Sequence, residues 1–141
     1  MSDVRTFATF DSDIVDESNF SDSGEMILPG GCNISSVIKD NLSEMGLVAS
    51  YPIQYKFYGW EFEATIKGQK YWFLVQNPES WLLISEDRTG LFGRLKAESE
   101  LFGNTLRELN LRLTDDERFS HIRWFTKAEY ESGKSMGVAV P

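Results

Sequence analysis

Residues 60–85 read WEFEATIKGQKYWFLVQNPESWLLIS, and the alternation within them decides the fold. Trp60, Phe62, Ala64 and Ile66 fall on one side and Glu61, Glu63, Thr65 and Lys67 on the other, the period-two pattern of a half-buried strand. Gly68-Gln69 predicts a two-residue hairpin turn with glycine first, which pairs Lys67 with Lys70 and sets Ile66, Ala64 and Phe62 against Tyr71, Phe73 and Val75. Asn77-Pro78-Glu79-Ser80 supplies the next turn, and Trp81 to Ser85 the third strand. Residues 54–86 are thus expected to form a three-stranded antiparallel meander.

Working outward, Pro29-Gly30-Gly31 precedes Cys32-Asn33, after which Ile34, Val37, Ile38, Leu42 and Met45 recur at helical spacing and Gly46 stops the run. A helix from about Ile34 to Met45 with Asn33 as its cap follows. Beyond the meander, Leu95, Phe102, Leu106, Leu109 and Leu113 share one face of a second predicted helix, and Ser120 to Thr126 reads as a last strand. Helix, three strands, helix, strand predicts an α+β two-layer sandwich: an antiparallel sheet, made of the meander plus a C-terminal strand, with two helices packed on one face. This element order is similar to that of the type III secretion chaperones, a likeness of fold that does not establish function and assigns no residue a role.

The chain has 141 residues, the length of one domain. Its net charge of −8 is unevenly spread. Residues 1–25 hold seven acids (Asp3, Asp11, Asp13, Asp16, Glu17, Asp22, Glu25) against Arg5 alone, a net −6, which leaves −2 for the rest. Residues 1–25 are accordingly expected as an acidic N-terminal arm or lid, residues 26–130 as the single α+β domain, and residues 131–141 as a C-terminal tail. The charge repels phosphate backbones and anionic lipid, so neither nucleic acid nor membrane is an expected partner. No apolar run approaches the roughly 20 residues of a spanning helix, Cys32 has no second cysteine to pair with, and Met1 to Arg5 lead into acidic sequence rather than an apolar leader core. A cytoplasmic setting is the expectation.

Motifs that could carry chemistry are few. Cys32 ahead of a helix could be an activated thiol with His121, the only histidine, as its partner, against the commoner reading of a structural thiol. Pro29-Gly30-Gly31 lacks the lysine of a P-loop and fits a turn. Asp11-Ser12-Asp13-Ile14-Val15-Asp16 starts like a calcium loop, but Val15 occupies a ligand position, and a solvated acidic stretch fits it better. No cofactor and no metal is expected.

The strongest functional signal is a surface. If Gln76 pairs with Trp81, then Leu74 meets Leu83 and Trp72 meets Ser85, and the sheet face away from the helices carries Trp72, Leu74, Trp81 and Leu83 beside Glu61 and Glu63. These six residues are the predicted partner-binding surface. The expectation is a non-catalytic protein-binding module that captures a basic protein partner through this acidic, aromatic face, in the manner of an immunity-type inhibitor or a secretion chaperone. The alternative is a small-ligand site, carbohydrates included, or a hydrolytic site that uses Glu61 and Glu63 beside Trp72 and Trp81. The blandest reading has the N-terminal segment cover the face within the chain, and a free sheet edge could pair with a second copy.

Overall fold

A computed structural model describes residues 4–16, 18–90 and 96–141, with only the backbone for 96–99. Asp3, Glu17 and Leu95, named above, lie outside the described residues. Among the described residues the chain is α+β, a seven-stranded antiparallel sheet, a separate two-stranded hairpin and three helices. The order along the chain is β1 (Phe7–Ser12), β2 (Asn19–Phe20), β3 (Met26–Leu28), α1 (Cys32–Glu44), β4 (Val48–Ala49), β5 (Ile53–Tyr55), β6 (Gly59–Ile66), β7 (Gln69–Gln76), β8 (Trp81–Asp87), α2 (Lys96–Asp115), β9 (Phe119–Phe125) and α3 (Lys127–Ser132).

The meander is present as β6, β7 and β8, with two differences of register. Ile66 pairs with Gln69, and the turn is Lys67-Gly68, both at positive φ, as the strand twist demands of a two-residue loop. This moves each expected pair by two residues, an even shift that keeps every side chain on its face: Phe62 meets Phe73 and their rings stack at 5.1 Å. Between β7 and β8 the shift is odd. Gln76 pairs with Leu82, Leu74 with Ile84 and Phe73 with Ser85, so Leu83 and Trp81 turn to the face opposite Trp72 and Leu74.

The largest departure is at the N-terminus. Residues 7–12, expected within an arm or lid, form a strand inside the sheet, paired with β8 on one side (Phe7 with Ile84, Ala8 with Leu83) and β9 on the other (Phe7 with Phe125, Ala8 with Trp124). Its alternation sends Ala8 and Phe10 into the core, where Phe10 meets Phe119 at 5.5 Å. The last strand, β9, therefore pairs with β1 rather than with the meander. Val4, just ahead of β1, packs on Gly103 of α2: a Cβ there would stand 3.1 Å from its methyl. The glycine that weakens α2 in isolation is where the N-terminal segment seats.

One apolar cluster joins Ile34, Ile38 and Leu42 of α1, Phe102, Leu106, Leu109 and Leu113 of α2, and Phe62, Phe73, Val75, Leu83 and Trp124 of the sheet. Burial of these side chains, each worth about 1.5–3 kcal/mol, holds the helices to the strands. The expected tail is bound as well. Trp124 and Val138 exchange backbone hydrogen bonds of 2.7 and 3.0 Å, and the buried Asn110 side chain accepts from the Trp124 indole at 2.8 Å while donating to the Ala139 carbonyl at 3.1 Å. Helix α3 starts at a capping box in which Thr126 and Glu129 satisfy each other's backbone amides, the reciprocal arrangement that a Thr-x-x-Glu spacing allows.

Candidate functional site

The six residues of the predicted surface do not share one face. Glu61, Glu63, Trp72 and Leu74 do, while Trp81 and Leu83 point the other way. Trp72 and Leu74 retain 6% and 5% exposure and Leu83 none, so none of the three is free to anchor a partner. Trp72 is dressed by its own chain: its indole donates to Glu61 Oε1 at 3.1 Å, the Arg88 guanidinium lies 4.1 Å above its ring, and Tyr55 meets it edge-on at 6.1 Å. Glu63 lies 3.8 Å from Lys70. Further along the same face, Tyr130 of α3 packs on Phe7 and Phe125 at 5.5 and 5.9 Å. Trp81, on the other face, is not part of the surface that carries Glu61 and Glu63; Trp72 and Tyr55 are the aromatic residues beside them.

The thiol reading fares no better. Burial, and then the negative charge of Asp16, push the Cys32 thiol up from its ordinary range, which keeps it protonated and weakly nucleophilic. His121 is hydrogen-bonded through Nδ1 to Asp11 at 2.9 Å. Asp16, read above as part of a solvated stretch, accepts from the Ile34 amide at 2.8 Å, and Asn33, the expected cap, instead donates to the Val15 carbonyl at 2.9 Å. The start of α1 is capped from eighteen residues upstream and adjoins Gly31, whose φ of 124° and close approach to Val75 and Trp60 leave little room for a side chain. Among the described residues no group of three or more His, Cys, Asp or Glu side chains could hold a metal ion, and no helix is long and apolar enough to cross a membrane.

One group of exposed apolar side chains lies at the hairpin end of the sheet. The hairpin β2–β3, whose strands pair with each other and not with the main sheet, presents Phe20 (59% exposed) and Ile27 (53%), and the turn before β6 presents Phe57 and Tyr58 (63% each). These elements meet the Asn77-Pro78 turn around a cleft of about 230 Å³ lined by Ser18, Met26, Phe57, Tyr58, Asn77 and Pro78. A wider open depression of about 760 Å³ adjoins it across Ser18 and Asn77, lined by Asp13, Asp16, Phe20 and Trp81. Trp81 therefore does stand at a surface with acids, but the acids are Asp13 and Asp16. The hairpin is held by Ser18 Oγ accepting from the Gly30 amide at 2.9 Å and by the Trp60 indole donating to the Pro29 carbonyl at 2.8 Å.

Sequence reasoning missed Phe57, Tyr58, Met26 and Phe20. Two aromatic residues placed in the Lys56-to-Gly59 turn were a usable signal, since turns lie on the surface. Residues 6–38 contain no Lys or Arg while carrying Asp11, Asp13, Asp16, Glu17, Asp22 and Glu25, so this stretch brings only acids to the hairpin end, where Lys56 adjoins Phe57. The fold is an antiparallel α+β protein whose hairpin end carries two adjoining depressions. In comparisons with known proteins, no family model, curated protein or solved structure matches the chain.

Proposed function

We propose that the protein is a non-catalytic protein-binding module that takes a basic partner at the hairpin end of the sheet, in the manner of an immunity-type inhibitor or a secretion chaperone. In this reading the molecule is built in two layers, with α1 and α2 on one face of the sheet and the binding end formed by the connections between strands. One observation carries it: Phe20, Phe57 and Tyr58 are each more than half exposed and line the two adjoining depressions, and Phe20 belongs to a stretch of 33 residues, 6–38, that holds acids and no base. Contiguous apolar surface rimmed by charge marks interaction sites, and one sign of charge steers a partner of the other. The narrow cleft, about 230 Å³, falls below the roughly 300–1,000 Å³ of small-molecule pockets, which favours a side chain as its occupant. Pairing of a second copy along β4 and β5 is disfavoured, because these strands are two and three residues long with Pro52 between them, a short edge of the kind that blocks strand addition.

The test is capture from the native host by the tagged full-length chain and by its F57S/Y58S variant. The expected result is a partner retained at low salt, weakened at moderate salt, and lost from the variant at an unchanged Tm. Equal capture of the same partner by the variant would overturn the reading.

A further inference from the structure

The two adjoining depressions differ in chemistry, and the difference specifies the partner. The narrow one is walled by Met26, Phe57, Tyr58 and Pro78 and suits one large apolar side chain. The wide one is lined by Trp81 together with Asp13 and Asp16, an aromatic residue and carboxylates in one depression, a combination that suits a Lys or Arg side chain. They meet at Ser18 and Asn77, so one ligand can reach both. We propose that the groove binds an extended segment of a partner protein in which basic and large apolar side chains alternate, the apolar one seated between Met26, Phe57 and Tyr58 and the basic one on Trp81 against Asp13.

Charge selects among the other occupants. A second copy of this chain docked by the same face would bring the same acids against Asp13 and Asp16 of the groove and the exposed Asp22 and Glu25 of the hairpin turn, and a nucleic acid would bring phosphates; both are repelled. A basic segment gains from each carboxylate, and its apolar residue gains from leaving water.

The inference rests on the protein-binding reading above, and the experiment separates the two. Fluorescence anisotropy with the full-length chain would compare three short fluorescein-labelled peptides: alternating lysine and leucine, alternating lysine and serine, and alternating glutamate and leucine. Saturable binding is expected for the first only, weakened about tenfold or more by F57S/Y58S and again by D13N/D22N/E25Q, and weakened by salt. All five side chains are exposed, so both variants should keep the wild-type circular dichroism spectrum and Tm. Equal binding of the lysine–serine peptide, or of the glutamate–leucine peptide, would remove the apolar or the charged half of the proposal and overturn it. Failure of the lysine–leucine peptide to bind, with host-partner capture still abolished by F57S/Y58S, would overturn the alternating-segment inference and leave the protein-binding reading standing. Capture undiminished by that variant would sink both. A dimer in sedimentation that F57S/Y58S dissolves would assign the groove to a second copy and overturn the inference.

Discussion

Strand β1 and the hairpin β2–β3 come from the same acidic, aromatic stretch of chain, separated by only a few residues, and they meet opposite fates. Phe10 is 3% exposed and has neighbours on both sides of its strand, β8 and β9. Phe20 is 59% exposed on a ribbon that pairs only with itself. Composition does not distinguish them. What differs is partnership: β1 slots between two strands contributed by residues about 75 and 115 positions later, whereas β2 and β3 have only each other. Density of acid therefore says little about whether a segment is structural, and the acids themselves divide in the same way. Asp16 caps α1, while Asp13 faces solvent at the rim of a cleft.

The sharpest way to break this comparison is to truncate both phenylalanines. Phe10→Ala should cost about 3–5 kcal/mol, the range for deleting a packed core aromatic, while Phe20→Ala should stay within about 0.5 kcal/mol. Chemical denaturation measures both, and similar losses would place the hairpin in the core after all. A smaller contrast lies in the acids. Asp16→Ala should lose about 1 kcal/mol through the α1 amide it leaves uncapped, and Asp13→Asn should leave stability unchanged while weakening the basic peptide.

Two titrations give smaller, directional effects. Burial, and then the charge of Asp87, push the Tyr71 phenol up to about 12. An unfolded tyrosine loses its proton near pH 10, so between about pH 10 and 12 the unfolded chain sheds a proton that the folded chain keeps, and stability falls as pH rises through that window. Tyr71→Phe should flatten this alkaline loss, and because the chain has four other tyrosines the check is the difference in phenolate absorbance between wild type and Tyr71→Phe: a difference already developed at pH 10 in the folded protein would contradict it. At the acid end, the Thr126 amide, followed by Arg5, holds the Glu129 carboxyl below its ordinary range. Its contribution is present above the unfolded value near pH 4 and is lost as pH falls through the folded one. Arg5→Gln should raise the Glu129 titration midpoint in an NMR series and loosen the start of β1, while an unmoved midpoint would show that the Arg5–Glu129 contact of 3.1 Å is idle.

How much was legible in advance follows from where the information resides. The β6–β7 hairpin could be read because alternation is local and an even slip leaves faces intact, so Phe62, Ala64, Tyr71 and Phe73 were correctly grouped even with the turn misplaced. The β7–β8 register could not, because Trp81-Leu82-Leu83-Ile84 is apolar at every position and offers no polar residue to mark the solvent side. That single-residue error placed Trp81 and Leu83 on the wrong face, while Trp72 and Leu74, on the expected face, are buried by side chains from elsewhere in the fold. Helix α3 was missed although Thr126-x-x-Glu129 carries the spacing of a capping box, and the closing tail was missed because one backbone bridge at Val138 leaves no periodic trace.

By itself the sequence determined the α+β class, the meander, the extents of α1 and α2 to within a few residues, and the asymmetry of charge, because each of these is a periodicity or a count within a short window. Only the tertiary structure decided that residues 7–12 are an interior strand, that Asp16 caps a distant helix, that Trp72 is covered while Phe57 and Tyr58 are open, and that Trp81 and Asp13 line one depression. Each of these depends on pairing between residues far apart in the chain, and burial is a property of the partner as much as of the residue.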